Sequence, residues 1–213
     1  MNIPFRPPIR TVADLLRHLG DVPASRVRFT PVPGTATVAD LGTPGNELCE
    51  IIEGVLVEKA VGHAESFLGL WIGTLVNMYV VPRKLGYCTG ADGFTELSTG
   101  NTRAPDVSFF SWDSVAGRRR PTQAYPRLAP DFAVAVLSPF NTRAEMKRKR
   151  TEFFASGTRL IWEIDPRAQI ARVYTAVDVF TELTRADTLN ADPVLPGFTI
   201  PLGELFDYYN ENG

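Results

Sequence analysis

The sequence is poor in the residues that mark many active sites. Among 213 residues there are two histidines and two cysteines. His18 and His63 cannot make a histidine-rich zinc site and argue against a Ser-His triad. Cys49 and Cys88 lack metal-ligand spacing and read as buried thiols rather than a disulfide. No apolar run approaches the length of a bilayer span, so no membrane partner is expected. The opening stretch MNIPFRPPIR has no apolar core of the kind that signal peptides carry, and a cytoplasmic protein is the expectation. A net charge of −2 does not announce a nucleic-acid binder. No internal repeat is visible.

What the chain does have is a globular composition, 44% hydrophobic and 22% charged, in a length that one ordinary domain can fill. Its centre is the stretch Pro130–Pro166. FAVAVL, residues 132–137, is an apolar run without alternation, which fits a strand covered on both faces. Thr142-x-x-Glu145 is a capping-box signature, and the helix it opens should run to Gly157, a natural C′ residue. Residues 160–164 form a second apolar run closed by Asp165-Pro166. Strand, helix and strand in this order predict a right-handed crossover joining two parallel strands.

The helix wheel places Phe153 and Gly157 on the stripe of Met146, facing the sheet. Lys149 and Arg150 flank that stripe, whereas Lys147 and Arg148 point away. Lys149 can therefore lay its stem along the sheet and bring its ammonium to the strand ends, or simply pair with Glu145 one turn back. Local basic patches, Arg118–Arg120 and Arg143 with Lys147–Arg150, can track phosphates or merely solubilise the surface. Elsewhere the pattern predicts a short helix in TVADLLRHL after an irregular proline-rich start at residues 1–10, and a loop-rich stretch over 21–46. A hairpin over 50–59 should turn at Glu53-Gly54, and a long apolar helix should fill 63–81. Strands are expected near 87–88, 94–97 and 106–111. Antiparallel strands over 169–174 and 179–184, a tight turn at 194–198 and a closing helix over 202–209 complete the reading. Asp106 and Asp131 each open a buried strand directly after a proline, as a cap for local amides or as a metal ligand.

Six pieces in fixed order then carry a resemblance: Glu50-Ile-Ile-Glu-Gly54, Arg103-Ala-Pro-Asp-Val107, Pro130-Asp-Phe-Ala-Val-Ala-Val-Leu-Ser-Pro139, Lys149-x-x-x-Phe153, Trp162-Glu-Ile-Asp-Pro166 and Leu195-Pro-Gly-Phe198. Together they resemble the Uma-type (Uma-two) restriction endonuclease family of the PD-(D/E)XK nuclease superfamily. The resemblance covers roughly residues 46–207. It implies an α/β (α+β) fold of the restriction-endonuclease type, with a mixed central sheet flanked by helices. It also implies a nuclease-like domain over 46–213, behind an arm over 1–45. The activity implied is divalent-metal-dependent hydrolysis of DNA phosphodiesters, with Mg²⁺ or Mn²⁺ as cofactor, DNA as partner and homodimers by analogy.

Carried over by position, Asp106 is the central metal ligand and Lys149 the catalytic lysine; Glu50, or else Glu65 on the long helix, is the auxiliary acid. Arg143, Lys147, Arg148, Arg150 and Arg119 would face the nucleic acid. The chain departs from the pattern at Ala135, where the family has its second acidic ligand. That departure implies weakened metal binding and impaired activity. The substitute metal ligand, if one exists, is Glu163 on the neighbouring strand or Asp131 at the strand start; Glu163 is otherwise a solvent-facing residue. The alternative is a catalytically inactive nuclease-fold module that binds nucleic acid or protein.

Overall fold

The computed structural model describes residues 9–60 and 62–212, so most of the irregular start expected at 1–10 lies outside the described residues. In chain order it holds α1 (Val12–His18), β1 (Cys49–Ile52), β2 (Val55–Glu58), α2 (His63–Val80), β3 (Gly86–Thr89), β4 (Thr95–Glu96), β5 (Thr102–Arg103) and β6 (Val107–Ser111). There follow β7 (Phe132–Val136), α3 (Arg143–Ala155), β8 (Leu160–Asp165), β9 (Ile170–Ala176), β10 (Val179–Thr184), β11 (Thr188–Asn190), β12 (Thr199–Pro201) and α4 (Leu202–Asn212).

The central sheet has the order β10-β9-β8-β7-β6-β3. Its β7–β8 pair is parallel and its other pairs are antiparallel, which makes the sheet mixed. The parallel pair is the one joined by α3, as a crossover connection requires. Strand alternation splits the buried residues between two layers. Phe132, Val134, Val136, Leu160, Trp162 and Ile164 pack with Leu68, Ile72, Val76 and Val80 of α2 and with α4. Ala133 and Ile161 face the other way, onto Phe153 of α3 and Tyr174 of β9. Both faces of β7 and β8 are thus covered, which is why their sequences show no polar alternation. Trp162 anchors the α2 layer, with the ring of Phe132 edge-on at 4.7 Å.

A second sheet, ordered β2-β1-β5-β4, is built around the expected hairpin, which turns at Glu53-Gly54 with both residues at positive φ. The capping box of α3 forms as its sequence signals, with Thr142 accepting from the Glu145 amide. The same Thr142 hydroxyl donates to the Gly20 carbonyl at 2.5 Å, and Arg26 grips the Glu145 carboxylate at 2.7 and 3.1 Å. The segment after α1 is therefore fastened to the start of α3. Among the described residues no helix is long and apolar enough to cross a membrane.

Candidate active site

Asp106 immediately precedes β6. Its amide donates to the Val134 carbonyl at 3.0 Å, and its Oδ2 accepts from the Val136 amide at 2.8 Å. The carboxylate thus takes the place of a ladder carbonyl at the end of β7. α2 comes close here because residue 69 is glycine: a Cβ on Gly69 would lie 3.3 Å from the Asp106 Cβ. The other carboxylate oxygen, Oδ1, lies 3.4 Å from Lys59 Nζ. Lys59 closes the hairpin just after β2, its side chain is only 4% exposed, and it also donates to the Ala91 carbonyl at 2.8 Å.

Ala135 and Glu163 are direct partners in the parallel β7–β8 register. Glu163 is buried, and Arg150 Nη1 lies 2.5 Å from its Oε1. The same guanidinium donates to the Val177 carbonyl and lies over the Tyr174 ring at 4.2 Å. Arg150, expected to face nucleic acid, is thereby turned inward. Its stem flanks the sheet-facing stripe, and a buried carboxylate gives its charge a partner that water would otherwise supply.

Lys149 does reach back over the sheet, but it meets Glu50 (3.3 Å) rather than Glu145. Glu50 is fully buried and also binds Arg103 Nη1 at 2.7 Å. Burial alone would push this carboxyl up, but the adjacent Lys149 and Arg103 charges overcome it and hold the pKa at about 2. Arg103 extends the chain to Glu152 (2.7 Å), Glu152 to Arg148 (2.8 Å), and Arg148 to Glu53 (2.5 Å), which in turn pairs with His18. Burial opposes ionisation of Glu53 as well, but His18 and Arg148 keep its pKa below the ordinary value. Arg148 therefore does not point into solvent, because the β1–β2 turn and the end of α1 close over that side of α3.

Lys59, Asp106, Ala135, Lys149, Arg150 and Glu163 line one cavity of about 30 Å³, room for about one water molecule. Glu50 stands behind Lys149, one ion pair removed. Of the remaining expected residues, Arg143 and Arg119 are exposed, and Lys147 is exposed with Asp178 2.9 Å away. Arg119 lies on the loop before β7 rather than on α3. Two residues central to this arrangement escaped the sequence reading. Lys59 carries no local signal beyond ending a strand. Arg103 stands three residues before Asp106 in the quoted Arg-Ala-Pro-Asp motif and could have been suspected from there.

Divalent metals of the kind nucleases use need hard oxygen donors, commonly one or two carboxylates plus waters. The donor set here does not fit that need. Ala135 offers no side-chain oxygen, Glu163 is held by Arg150, and Glu50 is held by Lys149 and Arg103. Among the described residues no group of three or more His, Cys, Asp or Glu side chains converges. In the network around α3, Lys59, Arg103, Lys149, Arg148, Arg150 and Arg26 meet Asp106, Glu50, Glu152, Glu53, Glu163 and Glu145, six Lys and Arg cations for six carboxylates, with His18 also on Glu53. Charge is balanced there without a metal.

The sequence model of the Uma2 family, described as "putative restriction endonuclease", matches residues 38–203. Among solved structures, a crystal structure of a "putative nuclease belonging to DUF820" from Anabaena variabilis superimposes with a TM-score of 0.69. That match has 20% identity and covers 79% of this chain and 96% of the other. No curated protein matches.

Proposed function

Because the chain belongs to the Uma2 family of restriction endonuclease-like proteins, we propose that it is a nuclease-fold DNA-binding protein whose metal-dependent phosphodiester hydrolysis is impaired. The observation that carries this reading is the pairing of every cavity carboxylate with an internal cation, around a position 135 that brings no oxygen. A metal would have to compete with Lys59 for Asp106 and with Arg150 for Glu163. DNA contact falls to the exposed cations Arg143, Lys147 and Arg119, because Arg148 and Arg150 are committed internally.

The test pairs binding with cleavage. Wild-type protein should bind duplex DNA with salt-sensitive affinity in fluorescence anisotropy. It should leave supercoiled plasmid intact in Mg²⁺ and in Mn²⁺. Ala135→Glu should gain metal-dependent nicking, and Lys149→Ala in that background should abolish it. Plasmid nicking by the wild type that disappears in Asp106→Asn would overturn the impairment. Absence of DNA binding at low salt would overturn the DNA-binding half.

One observation favours a second reading, an active enzyme in which Glu163 replaces the missing acid: Glu163 is the direct register partner of Ala135 and lines the same cavity as Asp106. That reading requires Arg150 to release Glu163, and it predicts wild-type nicking that Glu163→Gln eliminates.

A further inference from the structure

β10 is an edge strand of the central sheet, and its residues 179–182 lie open to solvent. Exposed apolar edge strands invite unwanted pairing, so a phenylalanine there calls for a reason. Phe180 is 48% exposed and does not stand alone. Its ring packs on Tyr174, its register partner on β9, at 4.9 Å, and the Arg150 guanidinium lies over Tyr174 at 4.2 Å. Strand alternation puts Phe180, Tyr174 and Glu163 on the sheet face toward α3. A cleft of about 560 Å³ runs between this face and the first two turns of α3, with Phe180 and Arg143 both in its lining. It shares Arg150 and Glu163 with the small cavity that holds Asp106, so it adjoins the candidate active site. Three of its four arginines are matched: Arg150 by Glu163 at 2.5 Å, Arg172 by Glu182 at 2.8 Å and Arg167 by Asp165 at 3.6 Å. The fourth, Arg143, is exposed, and no carboxylate among the described residues lies within ion-pair distance of it. The cleft therefore carries one surplus positive charge and a half-exposed aromatic ring.

We propose that this cleft takes one unpaired nucleotide of a DNA strand, its base stacked on Phe180 and its phosphodiester on Arg143. This occupancy rests on the DNA-binding reading above and narrows it to DNA with unpaired bases. Charge and shape select the occupant. A phosphodiester brings one negative charge per nucleotide, which matches the single surplus arginine, whereas a polyphosphate would find no second free cation in the cleft. Aromatic side chains reach the face of a base only where that base has left the duplex stack, and such stacking tolerates every base because each has a π-face. A base on Phe180 extends the Arg150–Tyr174–Phe180 pile by one member. The volume of the cleft lies within the range of small-ligand sites, about 300–1,000 Å³, and so holds a single nucleotide rather than a duplex. A fully paired duplex would offer the cleft only its backbone.

Fluorescence anisotropy on the full chain at low salt tests it with two probes, a short paired duplex and the same duplex carrying one bulged 5-iodouridine nucleotide. The wild type should bind the bulged duplex about tenfold tighter than the paired one, the size of one base–aromatic stack. Phe180→Ala should remove that preference and Phe180→Trp should keep it. Arg143→Ala should weaken binding of the bulged duplex and lower its salt dependence. Val179→Ala, the adjacent residue on the same exposed strand, should change neither affinity, and circular dichroism establishes that the variants are folded. Independently, long-wavelength irradiation should cross-link the iodouridine to Phe180, read by peptide mass. Equal affinity for the two duplexes, a preference that survives Phe180→Ala, or a cross-link outside this cleft would overturn the proposal and leave DNA binding in place. Absence of binding to both probes would overturn it together with the DNA-binding reading.

Discussion

α3 and α2 invert the usual relation between charge and solvent. Seven of the thirteen residues of α3 are charged, yet Glu145, Lys149, Arg150 and Glu152 are largely withdrawn from water into ion pairs. α2 holds no charge over its last four turns, yet presents Leu70, Met78 and Val81 to solvent. The difference lies in what each helix meets. α3 is sandwiched between the central sheet and the small β2-β1-β5-β4 sheet, whose Glu50 and Arg103 supply counter-charges. α2 meets the sheet on one side only. Charge density along a helix therefore says where charges exist, not where they face.

The sharpest way to break the comparison is to remove the hub of the charged layer. Arg103 is fully buried between Glu50 and Glu152, and burial and those two carboxylates act on it in opposite directions, the carboxylates raising its pKa. Arg103→Met should destabilise by about 3–5 kcal/mol in urea melts, because two buried carboxylates lose their partner. Replacing Glu50, Arg103 and Glu152 together by apolar residues of similar size should cost much less, since no uncompensated charge remains.

A smaller effect follows from pH. Glu50 has its pKa lowered from 4.5 to about 2, and Glu53 and Glu145 are lowered in the same direction. A depressed carboxylate stabilises the fold fully above its unfolded pKa and loses that contribution as pH falls through the folded value. Thermal melts should therefore decline between about pH 4.5 and pH 2, and Glu50→Gln should flatten part of that decline. At the bottom of the scale stands Lys147, whose exposed pair with Asp178 should be worth about 0–1 kcal/mol. Lys147→Ala should leave the melt almost unchanged while weakening DNA binding and its salt dependence. Together the series separates charges that hold the interior from charges that face outward.

Much of the fold was legible because local signals agreed with tertiary demand. The apolar runs at 132–137 and 160–164, the Thr142 cap and the Glu53-Gly54 turn each describe an interaction made within a few residues or across one sheet. The candidate site was legible only in part. Asp106 and Lys149 stand out through motif and wheel, and Glu163 through its place beside Ala135. Lys59, Arg26 and His18 did not, since their partners lie 47, 119 and 35 residues away in sequence. Nor could Arg148 be read correctly, because a wheel shows a direction but not what lies in that direction. The exposed apolar side of α2 was missed for the converse reason: an apolar helix reads as core until its outer side is seen exposed.

The most direct test of the central claim, an interior balanced without a metal, is a Mn²⁺ titration of the wild-type protein followed by electron paramagnetic resonance of the free ion. The account predicts no saturable site up to millimolar Mn²⁺, with a site appearing in Ala135→Glu. A single tight site in the wild type that vanishes in Asp106→Asn would contradict it.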